Sequence, residues 1–297
     1  MSEGTLRVAQ LNAGSLFEPG WDERREVLVA WLEHLAPDVI CLQEVWRDGS
    51  GTDTAAWIVD ALGGDGWYWR FGGYPFAPAL WPDQTLDFGS AILSRWPIDA
   101  HAHHRLPTAG GQDPVVDKVP WELLHVRTAG LDVFSTHLAA APTHGLHRTR
   151  QVVAIDDHVR EIRGTLDDLA GFGVKREGMP AILCGDFNAE PDSDEIRFLC
   201  GLTPIGDRTT YWIDAWREAG TGPGHTSDPR TNPLAAAMNV TTKRIDYVFV
   251  GDPFQRADGA GRVLSANLAF DASLTGRIAS DHFGLSVDIA WPTRPTP

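Results

Sequence analysis

The sequence is poor in cysteine, lacks any long apolar run and has fewer basic than acidic residues. Its three cysteines, Cys41, Cys184 and Cys200, show no close pairing spacing, which disfavours a disulfide framework and indicates a reduced, intracellular protein. No stretch approaches the about 18 apolar residues of a membrane-spanning helix, and the N-terminal residues carry no basic and apolar export signal. We therefore expect a cytoplasmic protein with no stable membrane insertion.

The charge balance bears on which partners the surface attracts. Lys and Arg number 25 against 40 Asp and Glu, so the formal net charge is −15 at pH 7. A surface of this sign repels nucleic-acid backbones and anionic membranes, although a bound cation can reverse the sign locally. With 43% hydrophobic and 22% charged residues, the composition excludes a disordered, collagen-like or coiled-coil chain. We expect a globular protein for which nucleic acid is a disfavoured, though not excluded, partner.

Apolar strands are interspersed with amphipathic helices along the chain, and no repeat or linker divides it. Helical spacing of apolar residues predicts helices at 22–35, from Asp53 onwards and near 147–163. Short apolar runs predict strands at Leu6–Leu11, Asp38–Glu44, Ser90–Ser94, Glu122–Val126, Leu131–His137, Ala181–Gly185, Arg244–Val250 and Leu285–Trp291. Two long segments, 66–88 and 220–242, are predicted loops. These elements indicate one α+β domain over residues 1–291, followed by a flexible, proline-bearing tail at 292–297.

Polar side chains stand at the ends of the predicted strands, where a site gains a rigid support that is open to solvent. They are Asn12, Glu44, His137, Asp186, Asn188, Asp246, Asp281 and His282. Taken singly, a polar residue after a strand is more often a turn former. Together they combine carboxylates, imidazoles and carboxamides without a cysteine ligand set, and hard oxygen ligands suit Mg²⁺ or Mn²⁺ better than structural zinc. The pattern therefore indicates a site for a hard divalent cation.

Six short motifs carry these residues, in the order QLN (10–12), LQE (42–44), STHL (135–138), GDFN (185–188), RIDY (244–247) and SDH (280–282). Their order resembles that of the endonuclease/exonuclease/phosphatase superfamily from about residue 6 to residue 290, and GDFN together with SDH is the most specific part. The resemblance implies an α+β fold in which two mixed sheets pack together between outer helices, a four-layered α/β/β/α sandwich. It also implies a site at one end of the sheets.

The resemblance further implies which residues bind the metal and the phosphate. Glu44 matches the principal metal carboxylate of the family, and Asp281 is a second acidic residue near the metal. Mg²⁺ keeps several waters and takes only one or two protein carboxylates, which suits this small set, and Mn²⁺ is the alternative ion. Asn12 and Asn188 would donate amide hydrogen bonds to phosphate oxygens without adding negative charge.

Proton transfer is implied for four residues, which with Asn188 form the expected catalytic set. Asp186 would orient or deprotonate the attacking water. His282 would share that task or donate to the phosphate, held in the required tautomer by Asp246. His137 matches the histidine of the deoxyribonuclease-like and sphingomyelinase-like branches, where it acts as general acid or transition-state donor. The resemblance leaves open which histidine is the acid and which is the base.

Several other segments have ordinary structural explanations. The histidines of residues 101–104 (HAHH) fit a solvated loop better than a metal cluster. The aromatic segment 66–81 suits either stacking on a substrate or packing in an outer layer. Four basic residues flank the motifs, namely Arg148, Arg150, Lys243 and Arg244. They are interpreted as solvated surface charges, with binding of the distal part of a substrate as the alternative. Thr226 resembles a family position near the entrance of the site.

These observations favour a divalent-metal-dependent hydrolase of a phosphoester, in which water attacks phosphorus in line. The acidic surface, the lack of a basic groove and the aromatic segment favour a small or lipid-like phosphodiester or phosphomonoester over a long duplex. A metal-dependent endo- or exonuclease is the first alternative. The second is a catalytically silent scaffold module of the same fold, which usually lacks one of the site residues, whereas all are present here. The natural substrate, the metal preference, the number of ions and the oligomeric state are left open.

Overall fold

Two mixed β-sheets that pack face to face form the centre of the molecule, and helices cover their outer faces. The computed structural model describes residues 4–50, 53–76, 85–110, 118–164, 177–238, 240–251 and 256–297. The strands over these ranges are β1 (Thr5–Asn12), β2 (Val39–Arg47), β3 (Tyr68–Phe76), β4 (Leu86–Ser94), β5 (Ile98–Arg105), β6 (Glu122–Thr128), β7 (Leu131–His137), β8 (Ile182–Asp186), β9 (Trp212–Asp214), β10 (Asp246–Gly251), β11 (Val263–Ala269) and β12 (Gly284–Ala290). The helices are α1 (Trp21–Leu35), α2 (Thr54–Ala61), α3 (Gly145–Arg163), α4 (Asp194–Leu199), α5 (Ala215–Ala219) and α6 (Pro233–Ala237). Within the same ranges, no helix is both long enough and apolar enough to cross a membrane.

Each sheet has one parallel pair of strands near its centre. The first sheet has the order β11-β12-β1-β2-β4-β3, in which β1 and β2 are parallel. The second has the order β5-β6-β7-β8-β10-β9, in which β7 and β8 are parallel. β12 runs antiparallel to β1, and β10 runs antiparallel to β8. The carboxyl ends of each parallel pair therefore meet the amino end of an antiparallel neighbour at one edge of the sheet.

Apolar side chains of both sheets fill the space between them, and separate apolar clusters attach the helices outside. Val8 and Val287 of the first sheet pack with Val133 and Val248 of the second in the central core. Helices α1 and α2 cover the outer face of the first sheet, and α3 and α4 cover the outer face of the second. This order of layers, α/β/β/α, confirms the expected fold class.

Side chains alternate along the strands, and the inward-facing ones change from apolar to polar at one end of the sandwich. In β1, Leu6 and Val8 lie in the central core, whereas Gln10 and Asn12 on the same face are polar and also buried. The same change occurs at this end of four further strands, where the buried polar residues are Gln43, His137, Asp186 and Asp246. The gap between the sheets is therefore hydrophobic over most of its length and polar at one end.

The aromatic segment that composition predicts as a loop contains a strand. β3 pairs with β4 over its whole length, while residues 77–84 lie outside the described ranges. β3 is the edge strand of its sheet, a position in which a proline such as Pro75 is tolerated. A Cβ atom at Gly73 would stand 2.5 Å from the ring of Phe71, so glycine serves close packing here. The prediction of a loop over 66–88 was therefore wrong for the described part.

The histidines of residues 101–104 also lie in a strand, because β5 pairs with β6 at the edge of the second sheet. His103 packs edge-on against Tyr74 of β3, with ring centroids 5.1 Å apart. His104 stacks on His158 of α3, with ring centroids 3.9 Å apart. Within the described residues, these histidines form no group of three potential metal ligands. They pack against neighbouring elements, and the predicted loop was wrong.

Candidate active site

The polar end of the sandwich gathers the side chains that the sequence motifs singled out. They come from the ends of β1, β2, β7 and β8, from the start of β10 and from the segment before β12. The set consists of Asn12, Glu44, His137, Asp186, Asn188, Asp246, Asp281 and His282. Each of them contacts at least one other member through atoms 3.9 Å apart or less. Six separate stretches of the chain therefore form one site, as the strand-end pattern predicts.

A bulge in β2 turns Glu44 towards this site. Strict alternation would place Glu44 on the helix-covered face, because its neighbour Gln43 faces the gap between the sheets. The register of β2 with β4 shifts between Leu42 and Val45, and Glu44 has a φ of 54°, in the left-handed region. The hydroxyl of Ser15 donates to the Glu44 carbonyl oxygen at 2.6 Å and holds the bulge. The bulge therefore adds a carboxylate to a face that alternation would leave without one.

Asn12 connects the two sheets at the site. Its Nδ2 donates to Oε1 of Glu44 at 3.0 Å and to Oδ2 of Asp186, also at 3.0 Å. Its Oδ1 accepts a hydrogen bond from the N–H of Gly14 at 3.1 Å, which fixes the orientation of the amide. Both amide hydrogens are therefore engaged by carboxylates, and Asn12 would have to exchange one of these bonds to donate to a phosphate.

His282 and Asp246 form a buried pair. Nδ1 of His282 lies 2.8 Å from Oδ2 of Asp246, which leaves Nε2 directed into the site. Nε2 lies 3.9 Å from a carboxylate oxygen of Asp186 and 3.9 Å from one of Asp281. Burial lowers the pKa of His282, but the three carboxylates outweigh burial and hold the pKa well above its usual 6.5. In the absence of a cation, this imidazole is therefore positively charged near neutral pH.

Two buried glutamines support Asp246 from between the sheets. Gln10 and Gln43 donate to each other's carbonyl oxygens, at 2.6 and 3.0 Å, and Gln43 also donates to Ser135 at 2.9 Å. Nε2 of Gln10 lies 3.4 Å from Oδ1 of Asp246. The buried hydroxyl of Thr226 accepts from the backbone N–H of Asp246 at 3.2 Å. This network joins both sheets and fixes the carboxylate that orients His282.

His137 occupies an aromatic environment on the other side of Asp186. Its Nε2 lies 3.6 Å from Oδ2 of Asp186 and 3.8 Å from Oε1 of Glu44. Its ring packs edge-on against Trp121, with centroids 5.2 Å apart, and against Phe88 at 6.2 Å. Burial lowers the pKa of His137, although Asp186 partly offsets this. Relative to a free imidazole, the pKa of His137 is therefore lowered, whereas that of His282 is raised.

Asn188 fixes the carboxylate of Asp186. The backbone N–H of Asn188 donates to Oδ1 of Asp186 at 2.8 Å, which leaves Oδ2 for Asn12. The φ of Asn188 is 49°, a left-handed conformation that asparagine adopts more readily than most residues. Its Nδ2 donates to the carbonyl of Leu138 at 3.0 Å, which leaves one amide hydrogen for a ligand.

Two arginines beside the motifs pair inside the protein instead of facing solvent. Arg148 lies 3.1 Å from Glu195, and Arg244 lies 2.7 Å from Asp214, and all four residues are buried. The interpretation of both arginines as solvated surface charges was therefore wrong. Each partner is distant in sequence, so the pairing is absent from local patterns.

The site holds more carboxylate than positive charge, which suits a divalent cation. Burial raises the pKa of Glu44 to about 7, and the negative charge of Asp281 adds to the effect. Burial raises the pKa of a further carboxylate, Glu18, to about 9, with contributions from Asp281 and Glu44. Buried carboxyl groups with raised pKa values lack nearby positive charge. Their oxygen atoms are hard donors, which fit Mg²⁺ or Mn²⁺.

One group of three potential ligand atoms lies within 4.8 Å of one another in the described residues, and it consists of Asp186, Asp246 and His282. Asp246 and His282 of this group are hydrogen-bonded to each other. Glu44 is joined to it through Asn12, and Asp281 lies 3.9 Å from Nε2 of His282.

Sequence reasoning assigned no role to Gln10, Gln43 or Glu18. The two glutamines could have been recognised from the sequence, because each is a polar residue on the inward face of an otherwise apolar strand. Glu18 could not have been, since it lies in a loop that has no periodic pattern. Its place beside the site follows only from the folded chain.

We expect the metal-free protein to lose stability as the pH rises from 6.5 to 9. Glu18 and Glu44 have pKa values raised to about 9 and about 7, so they keep protons in the folded protein that they release in the unfolded chain, where the value is 4.5. The folded state then binds more protons than the unfolded state, and the free energy of unfolding falls as pH rises. His282, whose pKa is also raised, acts in the same direction. Melting temperatures measured with a chelator across this pH range check the expectation.

A divalent cation in excess is expected to flatten this pH dependence, because it replaces the missing counter-charge. A melting temperature that rises with pH in the presence of chelator would contradict the raised pKa values.

Comparison with known proteins places the fold and the motifs in context. The profile of the Endonuclease/Exonuclease/phosphatase family matches residues 9–282. A search among curated proteins found no match. Among solved structures, an endonuclease/exonuclease/phosphatase from Beutenbergia cavernae DSM 12333 is 24% identical, with a TM-score of 0.68, over 99% of this chain and 74% of that chain.

Two further solved structures resemble this chain over almost its whole length. The human Nocturnin catalytic domain with bound sulfate anion is 21% identical, with a TM-score of 0.65, over 97% of this chain and 94% of that chain. TDP2 from D. rerio, complexed with single strand DNA product, is 18% identical, with a TM-score of 0.66, over 97% of this chain and 99% of that chain. At identities this low, the structural likeness shows a common fold.

Proposed function

This chain belongs to the endonuclease/exonuclease/phosphatase family, and we propose that it is a hydrolase of phosphoesters that depends on Mg²⁺ or Mn²⁺. Members of this family are typically metal-dependent phosphoester hydrolases, among them nucleases and phosphatases. The proposed substrate is a small or lipid-like phosphodiester or phosphomonoester, and water is proposed to attack phosphorus in line. The observation that carries the proposal is a hydrogen-bonded His282–Asp246 pair beside a group of carboxylates that lack counter-charge.

Glu44 and Asp281 are the residues that we propose to hold the cation. Their donor atoms are hard oxygens, and the raised pKa of Glu44 indicates a shortage of positive charge around it. A divalent cation bound there would polarise a phosphoryl oxygen and neutralise charge on the leaving oxygen. Asn12 keeps Glu44 and Asp186 oriented by donating a hydrogen bond to each.

His282, Asp186 and His137 are proposed to orient the water and to transfer protons. Asp246 holds Nδ1 of His282, so the ring presents Nε2 to the reacting atoms. Asp186 is held by the N–H of Asn188 and presents Oδ2 between the two imidazoles. The pKa of His282 is raised and that of His137 is lowered, and such a difference suits one acid and one base in the same site.

The asparagines are proposed to bind the phosphate. Asn188 has one amide hydrogen beyond its bond to the carbonyl of Leu138 and would donate it to a phosphate oxygen. Asn12 would do so by exchanging one of its two hydrogen bonds to the carboxylates of Glu44 and Asp186. Neither amide adds negative charge beside an anionic substrate.

An aromatic cluster beside His137 supports a substrate with an apolar or aromatic part. Trp46 and Phe88 are buried, and Phe17 packs against them with ring centroids 5.2 and 5.8 Å away. Phe17 itself is half-buried. The net charge of −15 opposes binding of a long nucleic acid. Together these features favour a small or lipid-like ester.

A metal-dependent endo- or exonuclease is the second candidate. One structural neighbour of this chain, TDP2 from D. rerio, is complexed with single strand DNA product. A nuclease would bind DNA with an affinity that falls steeply as salt is added, because binding releases counterions from the phosphates. A small ester would show a much weaker dependence on salt.

A panel of substrates tests the proposal. Nucleotides, inositol phosphates, sphingophospholipids, glycerophospholipids, single-stranded DNA and plasmid are each incubated with the protein in Mg²⁺, Mn²⁺ or EDTA. We expect hydrolysis of small or lipid-like esters only when a divalent ion is present. DNA cleavage by substoichiometric protein, with a steep salt dependence, would favour the nuclease instead. Absence of hydrolysis across the panel in every metal would contradict an enzymatic function and leave the silent scaffold.

A further inference from the structure

Glu18 lies in the loop between β1 and α1, outside all six motifs. Its side chain is only 5% exposed, and its Oε2 atom has no hydrogen-bond partner in the part of the chain that the structure describes. Its contact with Arg24 spans 3.5 Å, too long for a strong hydrogen bond within the pair. A carboxylate oxygen buried this deeply without a partner costs free energy unless a ligand binds it.

The loop is shaped so that this carboxylate lies against Gly14, two residues after Asn12. A Cβ atom on Gly14 would stand 1.9 Å from Oε2 of Glu18, so a side chain at this position would force the Glu18 carboxylate to move. The N–H of Gly14 donates to Oδ1 of Asn12 at 3.1 Å, and the amide of Asn12 in turn contacts Glu44. The carboxylate of Glu18 is therefore buried against the turn that follows Asn12.

Arg24 makes this loop rigid. Its buried guanidinium donates hydrogen bonds of 2.9 to 3.2 Å to six backbone carbonyls, which belong to Ala13, Gly14, Ser15, Glu18, Pro19 and Ala279. Because these donors are used by carbonyls, the guanidinium contributes charge to Glu18 without satisfying its oxygen. The loop cannot release Glu18 into water without breaking this network.

Negative charge surrounds Glu18 on its other side. After burial, Asp281 and Glu44 are the main causes of its raised pKa, while Arg24 and His282 lower it. Three carboxylates therefore interact electrostatically, with Arg24 and His282 as the positive charges that offset them. A hard divalent cation is the ligand that would relieve this repulsion and bind the unpartnered oxygen.

We propose that Glu18 is a third carboxylate of the cation site and that it binds Mg²⁺ or Mn²⁺ together with Glu44 and Asp281. This inference rests on the proposed function, since it requires that the site bind a divalent cation. A third carboxylate increases the affinity of the free protein for the cation, before any substrate supplies phosphate oxygens. A Glu18 with only a structural role would instead support the loop through Arg24.

Calorimetric titration with MnCl₂, without substrate, tests the proposal on the wild-type protein, Glu18→Gln and Glu44→Gln. We expect the dissociation constant for Mn²⁺ to rise by at least about 10- to 100-fold in Glu18→Gln, because loss of a group that only supports a metal site already has an effect of this size. Glu23→Gln is the matched control, because Glu23 is exposed in the first turn of α1 and should not affect Mn²⁺ binding. Melting temperatures in chelator are a second readout. They should stay constant or rise in Glu18→Gln, since the substitution removes a buried carboxyl group whose raised pKa opposes folding at neutral pH.

Gly14→Ala tests the role of the Glu18 carboxylate without altering Glu18 itself. Its new Cβ atom would displace the Glu18 carboxylate without changing any charge, so Mn²⁺ binding should weaken here too. The φ of Gly14 is 51°, in the left-handed region, so alanine adds backbone strain that the folded protein must tolerate. This variant keeps the test decisive if Glu18→Gln does not fold.

The outcomes separate the two proposals. A folded Glu18→Gln protein that binds Mn²⁺ with the wild-type dissociation constant overturns the role of Glu18. If Glu44→Gln has lost Mn²⁺ binding in the same series, the proposed function stands. A wild-type protein that binds no Mn²⁺ overturns both. A lower melting temperature in chelator, with unchanged Mn²⁺ affinity, identifies Glu18 as a structural residue and also overturns the proposal.

Discussion

Replacement of His282 by alanine is expected to lower the turnover number by about 10²- to 10⁴-fold, the range for loss of one proton-transfer group. Nδ1 of His282 is held 2.8 Å from the buried carboxylate of Asp246, and Nε2 is directed at Asp186 and Asp281. Alanine removes the group that carries the proton and leaves the carboxylates in place. The measurement is kcat with the best substrate of the panel at saturating Mg²⁺.

Asp246→Asn distinguishes positioning from proton transfer. Asp246 acts through His282, so its loss should lower kcat in the wild-type background and have no further effect once the imidazole is absent. The matched control for His282→Ala is His34→Ala, which should leave kcat unchanged because His34 is exposed in the last turn of α1. A wild-type kcat in His282→Ala, or effects of the two substitutions that simply multiply, would contradict the proposed pair.

The second large effect is expected for Glu44→Gln, which should weaken Mn²⁺ binding by about 100-fold or more and remove metal-stimulated hydrolysis. The substitution keeps the shape of the side chain but replaces an anionic ligand oxygen with a neutral amide. The loss of Mn²⁺ affinity should be larger than that caused by removing a group that only supports the site, because Glu44 is proposed to contact the ion itself. The dependence of kcat/KM on Mg²⁺ concentration measures the change.

The same variant is expected to fold normally. Burial and Asp281 raise the pKa of Glu44 to about 7, so the buried charge opposes folding in the absence of metal. The melting temperature of Glu44→Gln in chelator should therefore equal or exceed that of the wild type, and exposed Glu33→Gln should change neither property. An unfolded Glu44→Gln protein would show that this carboxylate is structural. An unchanged Mg²⁺ dependence would remove Glu44 from the metal site.

The α+β class and the polar ends of the strands were predictable from short-range patterns, whereas the four-layered order of the sheets and helices followed from the resemblance to a known family. In β1, the apolar residues Leu6 and Val8 are followed on the same face by Gln10 and Asn12, which marks the polar end of the strand in the sequence itself. The edge strand β3 was missed for the opposite reason. Its glycines and proline are typical of loops, and only pairing with β4 shows that they belong to a sheet.

The partners of the charged residues could not be predicted in this way. Arg244 looked like a surface charge, yet it pairs with Asp214, 30 positions away in the chain. Glu44 belongs by alternation to the helix-covered face, and only the bulge in β2 turns it inward. Such features depend on which strands become neighbours.

The amino-acid sequence by itself determined the α+β class and the motif residues, and the resemblance that those motifs carry implied the layered architecture and the kind of chemistry. The tertiary structure decided how those groups interact. It shows that Asn12 donates hydrogen bonds to both Glu44 and Asp186, that the pKa of His282 is raised while that of His137 is lowered, and that Glu18 lies near the site. Strand periodicity and motifs are properties of a few consecutive residues. Electrostatic interaction depends on distances of a few ångströms. For residues as far apart in the chain as Glu18 and Asp281, these distances are determined by the packing of the folded chain.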